Sequence, residues 1–285
     1  MTGETWRIGD ITVTRVVEIE MAGGLSRFLP DATRDAVREI SWLQPHFADS
    51  DGRMRGSIHA LIIDTGEARI VVDTCVGNDK VRQIPAWDHM QTGFLDDMTD
   101  AGYPVPAIDA VLCTHLHVDH VGWNTRWEDD RWVPTFPNAR YLMGADEFAF
   151  WEARGNDENF GPVFDDSVKP VFDAGLVDLV ATDHQVAPGV SLIPTPGHTP
   201  GHVSVLISAQ GEDALITGDF LHHPCQMAHP EWGAVVDEEP AQAEQTRRHM
   251  FGRFADTPTL IIGTHFATPT AGHLVRDGDA FRLDV

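Results

Sequence analysis

The chain of 285 residues carries 20 Lys and Arg against 44 Asp and Glu, which gives a formal net charge of −24. Such an acidic surface repels phosphate backbones and anionic lipid headgroups, which argues against a nucleic acid or a membrane as partner. No uncharged apolar stretch approaches the roughly 18 residues that cross a bilayer, and the first residues, MTGETWRIGD, lack the basic and apolar regions of a secretory signal, so a cytoplasmic protein is expected.

The first part of the chain alternates between strand and helix patterns. Apolar periodicity predicts strands at 6–19, 57–64 and 68–74, the last two as a hairpin split by Gly66. Helices are predicted at 31–40 and near 91–101, the second ending at Gly102 with Pro104 beyond it. Residues 21–56 interrupt two strand patterns, and we expect this segment to be a cap or a dimerisation extension.

The rest of the chain repeats the alternation. Strands are predicted at 107–114, 139–143, 190–197, 202–208, 213–219 and 259–265, the first and the last of them buried, with a closing hairpin in 271–285. Helices are predicted at 145–154 and 238–254, whereas 155–189 is less regular apart from a short strand near LVDLVA. Strands dominate each half and each half also carries helices, a pattern typical of an α/β (α+β) sandwich of two sheets with helices on the outer faces.

The three cysteines, Cys75, Cys113 and Cys225, are far apart and form no CxxC pair. An odd and sparse set of this kind predicts neither a disulfide framework nor a thiolate metal site. Cys75 and Cys113 lie in apolar, strand-like runs, and we expect both to be small buried hydrophobic residues.

The chemistry of the chain is concentrated in HLHVDH, residues 115–120, which directly follow an apolar strand. In extended backbone His115 and His117 project to the same side, so both can reach one metal ion. If the chain then turns, Asp119 and His120 can reach a second ion beside the first. Neutral imidazole suits zinc, and a carboxylate adds charge compensation. A bare HxH would be read equally well as two surface histidines, but the complete string favours a metal site.

Three later strand ends supply further candidate ligands. His198 lies in the Gly/Pro turn PGHTPGH, and Asp219 follows Gly218, which permits a close approach of the backbone. His265 ends the run GTH after another apolar strand. Polar side chains that follow several apolar strands are expected to meet at one edge of a layered fold.

In this order the motifs THLHVDH, PGHTPGH, GD and GTH resemble the metallo-β-lactamase superfamily, from about Ser57 to the C-terminus. The resemblance implies a four-layer αββα sandwich, with 1–285 as a single domain and 21–56 as its extension. It implies two divalent metal ions, one held by His115, His117 and His198, the other by Asp119, His120 and His265, with Asp219 bridging both. Asp73 in VVDT would orient a ligand-bearing loop from behind the ligands.

The resemblance also bears on the subclass. A bridging Asp219 is unlike true β-lactamases, and His117 stands where the di-iron oxygen reductases carry glutamate. The motifs are shared with RNase Z-type nucleases, but a charge of −24 does not favour RNA binding. The segment FPNARYLMGADEFAFWE and the ending AGHLVRDGDAFRL are similar to the lactonase and methyl-parathion-hydrolase branch, which implies the opening of a lactone or similar cyclic or carboxylic ester.

Such a site implies that two metal ions share a bridging water and lower its pKa, so that hydroxide attacks the carbonyl. Asp119 would orient that nucleophile and move its proton. Related lactonases carry a tyrosine three residues after the bridging aspartate, where this chain has His222. We expect His222 to donate a hydrogen bond to the oxyanion or the leaving group, although a loop-packing role for His222 or His223 remains open. His202 is expected to be a hydrogen-bonded core residue.

Several alternatives stay open on the sequence. The same site could hydrolyse a phosphotriester or aryl ester, or open a cyclic carbamate or lactam, and a metal-binding protein without turnover, a scaffold or a redox iron protein must also be weighed. Zinc is preferred, but iron, manganese and cobalt suit the ligands. The expected substrate is a small, fairly hydrophobic molecule, bound by 21–56 and by the tryptophan-bearing segments after the histidine cluster. A homodimer through 21–56 would agree with the branch. Candidate pocket residues are Trp42, Phe47, Trp87, Trp123 and Trp232.

Overall fold

The structure is a computed structural model that describes residues 4–156 and 161–285. Its strands are β1 Thr5–Ile8, β2 Ile11–Ala22, β3 Arg55–Asp64, β4 Arg69–Val72, β5 Ala110–Leu112, β6 Thr125–Glu128, β7 Arg131–Pro134, β8 Arg140–Gly144, β9 Val177–Val180, β10 Gln185–Ala187, β11 Val190–Pro194, β12 Val203–Ala209, β13 Glu212–Ile216, β14 Leu260–Ile262, β15 Ala271–Asp277 and β16 Ala280–Asp284. Its α-helices are α1 Arg34–Glu39, α2 Phe94–Asp100, α3 Ala145–Arg154, α4 Lys169–Asp173, α5 Cys225–Ala228 and α6 Pro240–Phe254.

Two seven-stranded sheets contain all of these strands except β6 and β7, which form a separate hairpin. The first sheet has the order β1-β2-β3-β4-β5-β8-β9, and the second follows the chain from β10 to β16. Strands β4, β5, β8 and β9 run parallel to one another in the first sheet, as do β13 and β14 in the second. Parallel strands end at the same sheet edge, so the residues that follow β4 and β5 are brought together.

The internal contacts divide the chain into two compact units. The first contains Met1–Glu18 and Ile58–His184, and the second contains Ile19–Ser57 and Gln185–Val285. Each unit combines segments that are far apart in the sequence. Among the described residues, no helix combines the length and the apolar character that a bilayer crossing requires.

The core of the first unit follows from its near-continuous apolar strands. β3 and β4 contribute Ile62, Ile63 and Val71, which are fully buried. Strands that are buried on both faces carry apolar residues in succession rather than in alternation, as β3 does here. Cys75 and Cys113 are buried with these strands, which confirms their prediction as small core residues, and burial raises the pKa of both thiols.

The core of the second unit includes much of the segment 21–56. Leu29, Val37, Leu43 and Phe47 from this segment belong to one hydrophobic cluster with Phe251 of α6. The predicted helix at 31–40 is present as the shorter α1, whose N-cap Thr33 accepts a hydrogen bond from the Ala36 amide. The segment is therefore part of the folded core of its unit, and its role as a cap or dimerisation extension stays a prediction.

Candidate metal centre

The first unit carries one group of candidate ligands, on the segment that follows β5. His115, His117 and His120 are buried, and the His115 Nε2 atom lies 3.0 Å from the His117 Nδ1 atom. The ring centroids of His115 and His120 are 4.0 Å apart. Asp119 is more exposed than the histidines, and its Oδ1 atom lies 3.7 Å from His120 Nε2. The four first-unit residues of the predicted ligand set therefore form one compact group.

Asp73 fixes this segment from the end of β4. Its carboxylate accepts hydrogen bonds from the Thr114 amide and the Thr114 hydroxyl, each at 2.8 Å. It also lies 2.9 Å from His120 Nδ1, and a carboxylate there favours the tautomer with the proton on that nitrogen. The Nε2 lone pair of His120 is then available to a ligand. The predicted role of Asp73 as an orienting residue is supported by these contacts and stays a prediction.

A second carboxylate, Glu147 of α3, holds the same segment and was not expected from the sequence. Its side chain is buried, and its Oε1 atom accepts hydrogen bonds from the Leu116 amide at 3.1 Å and from Trp151 Nε1 at 2.8 Å. The Trp151 ring in turn packs edge-on against His117, with centroids 5.3 Å apart. The backbone between His115 and His117 is thus anchored to helix α3.

The second unit carries the other group of candidate ligands, around Asp219. His265 Nε2 lies 3.2 Å from the Asp219 carboxylate, and His198 Nε2 lies 3.6 Å from it. The Nδ1 atom of His265 faces the Ser57 carbonyl oxygen at 3.1 Å, which accepts a hydrogen bond from that nitrogen in the matching tautomer. His198, Asp219 and His265, predicted from three separate motifs, are therefore neighbours in this unit.

His202 contacts the backbone of Asp219. Its Nε2 atom accepts a hydrogen bond from the Asp219 amide at 2.7 Å, and its Nδ1 atom lies 2.8 Å from the Thr195 hydroxyl. Gly218 has φ of 57°, and a Cβ there would meet the His202 ring at 2.6 Å. The expected core role of His202 and the close backbone approach at Gly218 are both confirmed.

His222 and His223 differ in their surroundings. Both nitrogens of the buried His222 ring lack a hydrogen-bond partner in the described residues, although Nε2 lies 3.4 Å from the Asp219 carboxylate. Burial lowers the pKa of His222 to about 3. His223 is satisfied on both sides: Nε2 donates to the Phe47 carbonyl at 2.9 Å and Nδ1 accepts from the Cys225 amide at 3.1 Å. His223 therefore packs a loop, whereas His222 faces Asp219.

Asp237 is a further carboxylate that sequence reasoning missed. Its Oδ1 atom lies 2.9 Å from His198 Nδ1, on the side of the ring opposite Asp219. Its Oδ2 atom lies 3.6 Å from the guanidinium of Arg247 in α6, and both side chains are fully buried. The sequence offers no spacing signal for this contact, because Asp237 is 39 residues away from His198.

A small apolar pocket, open to solvent, lies in the first unit next to His117. It is lined by Leu116, His117, Val118, Trp151, Gly155, Val163 and Phe164. The five aromatic residues named from the sequence do not line it. Trp123, for example, is buried, stacks on Phe94 and donates to the Glu18 carboxylate. Trp151 and Phe164 provide the aromatic wall instead.

Clusters of buried imidazoles and carboxylates at strand ends define a class of metal-binding α/β proteins. A family model described as the metallo-beta-lactamase superfamily matches residues 53–265. The chain belongs to this superfamily.

The curated relatives are distant in sequence. An N-acyl homoserine lactonase from a Bacillus species is 27% identical over 161 residues, which cover 52% of this chain and 57% of the relative. The lactamase-like protein nscB of Aspergillus fumigatus is 23% identical over 259 residues, which cover 81% of this chain and 66% of the relative. The chain thus spans a little under three fifths of the length of the lactonase.

Solved structures match over nearly the whole chain. A hydrolase of the beta-lactamase superfamily, AbOPH, has a TM-score of 0.80 at 25% identity, covering 100% of this chain and 98% of its own. The dizinc quorum-quenching lactonase AidC, solved with the product N-hexanoyl-L-homoserine, has a TM-score of 0.79 at 20% identity, covering 99% and 96%. These matches confirm the fold class predicted from the sequence, the four-layer αββα sandwich.

Proposed function

We propose that the chain is a metal-dependent hydrolase that opens a lactone or a similar cyclic or carboxylic ester. The observation that carries this proposal is the second-unit group, in which His198 and His265 both direct Nε2 at the single carboxylate of Asp219. Buried imidazoles are placed around a buried carboxylate in this way where a cation completes the site. Membership of the superfamily and the lactonase and hydrolase relatives support the same reading.

The donor atoms fit divalent metal ions. Each unit offers imidazole nitrogens and a carboxylate, a set that suits zinc and also accommodates iron, manganese or cobalt. The hydrogen bonds of Asp73 and Asp237 hold the far nitrogens of His120 and His198, which is the usual arrangement behind metal-bound histidine. We propose two ions, one held by His115, His117 and His198 and one by Asp119, His120 and His265, with Asp219 shared.

When bound, the two ions would polarise the substrate carbonyl and lower the pKa of a water molecule between them. Asp119 is more accessible than His120, since its side chain is 17% exposed while that of His120 is fully buried. We assign to Asp119 the proton of the attacking water and its delivery to the leaving alkoxide. A carboxylate in this role contributes a rate factor of about 10²–10⁴.

His222 is assigned to the substrate oxygen. Its ring is buried, no described residue accepts or donates a hydrogen bond at either nitrogen, and it stands where the lactonase pattern has a tyrosine. A neutral imidazole can donate one hydrogen bond to a developing oxyanion or to the leaving group.

The apolar pocket beside His117 supports a substrate with a hydrophobic substituent. Its lining offers aliphatic and aromatic side chains and the edge of one imidazole, so this surface favours contact with an apolar substituent over contact with a charged group. The product bound to AidC, a homoserine with a six-carbon acyl chain, is of this kind. An aryl group has the same apolar character, so aryl esters and phosphotriesters are the competing substrates.

The test is proton release by the zinc-loaded protein with acyl lactones, aryl esters, phosphotriesters and cyclic carbamates. We expect lactones with apolar chains to be turned over fastest, and kcat/KM for them to fall at least about 100-fold in Asp119→Asn. The matched control is Asp96→Asn, which changes an exposed aspartate of α2 in the same unit and should leave the rate unchanged. Hydrolysis confined to phosphotriesters or aryl esters would contradict the lactone assignment, and a metal-loaded protein without turnover would contradict a hydrolase.

A further inference from the structure

The buried face of helix α6 contains one charged residue. The buried positions of this helix are Ala243, Arg247, Met250, Phe251 and Phe254, a single stripe that packs on the core of the second unit. Leucine or methionine would suit this stripe, because burying a guanidinium is costly unless the charge is compensated. An arginine at this position therefore requires a nearby acidic side chain that compensates its charge.

That partner is Asp237. Its Oδ2 atom lies 3.6 Å from Arg247 Nη1 and accepts a hydrogen bond from the Ala234 amide at 3.0 Å. Arg247 also donates from Nε to the Pro230 carbonyl at 2.9 Å, whereas neither Nη1 nor Nη2 forms a hydrogen bond with a described residue. The pair lacks bidentate geometry, so it is a poor candidate for a stabilising bridge. Arg247 instead compensates the charge of Asp237, whose carboxylate also contacts His198.

Asp237 and the residues that follow it hold the turn that carries His198. Asp237 Oδ1 lies 2.9 Å from His198 Nδ1, and the next two residues bind the same turn, as the Glu238 amide donates to the His198 carbonyl and the Glu239 amide to the Gly197 carbonyl, each at 2.9 Å. Thr246 of α6 donates from its hydroxyl to the Pro196 carbonyl at 2.6 Å. The segment that precedes α6 thus fixes both the backbone and the ring of His198.

A carboxylate at Nδ1 accepts the ring proton there, which leaves the lone pair on Nε2, the nitrogen that faces Asp219. We infer that Asp237, held in place by Arg247, is a positioning residue that sets the tautomer and the orientation of His198 for metal binding. This inference rests on the proposed function, since it gives His198 the role of a ligand. It adds two residues to the proposed site that the sequence motifs do not point to.

The test is the metal affinity of Asp237→Asn, measured by competition of zinc with a chromophoric chelator. Asparagine keeps the shape, but one end of its amide presents N–H, so it cannot accept from both His198 and the Ala234 amide. We expect the affinity for the ion held by His198 to fall about 10- to 100-fold. Arg247→Met should also lower the zinc affinity, but by less, because it leaves the Asp237 carboxylate in place without its countercharge.

The matched control is Asp166→Asn in the first unit. Asp166 is also a buried aspartate paired with a buried arginine, Arg82, but it is bound bidentately and touches none of the candidate ligands. It should lower the melting temperature of the metal-free protein while leaving the zinc affinity within about twofold. Equal zinc affinity in wild type and Asp237→Asn would overturn the inference. Failure of the wild type to bind zinc would instead overturn the proposed function.

A second measurement reads the tautomer in the wild-type protein and uses a variant only to assign the signal. In ¹⁵N-labelled wild-type protein, the ring proton of His198 should be on Nδ1 with and without zinc, with the signal assigned by its loss in His198→Asn. A proton on Nε2 would overturn the inference.

Discussion

At the scale of single residues, the carboxylate of Glu147 shows how one side chain can hold a whole motif. One oxygen accepts both the Leu116 amide and Trp151 Nε1, in a site that is almost fully buried. We predict that Glu147→Ala lowers the free energy of unfolding by about 2–4 kcal/mol, because it leaves two buried donors without a partner. Urea unfolding of the metal-free protein measures this loss.

The control for Glu147 is Glu152→Ala, an exposed glutamate on the same helix. It should change stability by less than about 0.5 kcal/mol. If the two variants were equally stable, the bonds to Leu116 and Trp151 would not anchor the segment.

The sequence predicts residues that act through a local motif and misses those that act at a distance. HLHVDH was recognisable because its four candidate ligands fall within six residues. Glu147 lies 31 residues away from Leu116 and Asp237 lies 39 residues away from His198, and nothing in either local sequence marks a buried carboxylate. Only the fold brings such partners together.

At the scale of elements, the loop after β4 lies directly on the turn after HLHVDH. The Gly122 amide donates to the Cys75 carbonyl and the Trp123 amide to the Thr74 carbonyl, both at 2.8 Å. A Cβ on Gly122 would lie 1.9 Å from the Val76 carbonyl oxygen, an impossible distance. The two backbones can approach this closely only because Gly77 and Gly122 lack side chains.

We predict that Gly122→Ala forces these backbones apart and lowers the free energy of unfolding by about 3 kcal/mol. Because the Thr74 amide donates to the His120 carbonyl, the shift should also weaken zinc binding. Thermal unfolding and chelator competition measure the two effects. Gly93→Ala is the control, since its Cβ would meet nothing within 4 Å and its φ of −89° suits any residue. A Gly122 variant as stable as the Gly93 variant would contradict the packing described here.

Long apolar strands were predictable and short irregular elements were not. β3, α3, β12 and α6 appear close to their expected bounds because β3 and β12 are long apolar runs and the two helices have a period near 3.6. The hairpin of β6 and β7 was missed, since TRWEDDRWVP shows mixed polarity and its strands pair only with each other. The π-helical turn Phe164–Val168 and α4 fall in the stretch expected to be irregular, and their short lengths leave no period to detect.

At the scale of the whole molecule, buried histidines that must stay neutral make the free energy of unfolding depend on pH. The chain has 15 histidines, and several are buried in places that suit the neutral ring. His223 is the clearest case, because its two hydrogen bonds require a proton on Nε2 and a lone pair on Nδ1. Burial lowers its pKa to about 4, against about 6.5 in an unfolded chain.

Between pH 6.5 and pH 4 the unfolded chain therefore binds a proton at His223 that the folded protein does not. Stability must fall as the pH falls through this window, by about 1.4 kcal/mol per pH unit from this residue alone. We predict that His223→Gln, which can still donate to the Phe47 carbonyl but cannot titrate, loses this part of the acid sensitivity. The difference in unfolding free energy between wild type and variant should shift by about 3 kcal/mol from pH 7 to pH 4, in favour of the variant.

Urea unfolding of metal-free protein at half-unit pH intervals measures that difference. His249→Gln, which replaces an exposed imidazole on α6, is the control and should follow the wild type across the whole range. A His223→Gln curve parallel to the wild type would contradict the prediction, because it would mean that the folded protein binds a proton at His223 as readily as the unfolded chain does. A His223→Gln curve that falls less steeply than the wild-type curve, and does so only below pH 6.5, would show that His223 causes this part of the acid sensitivity.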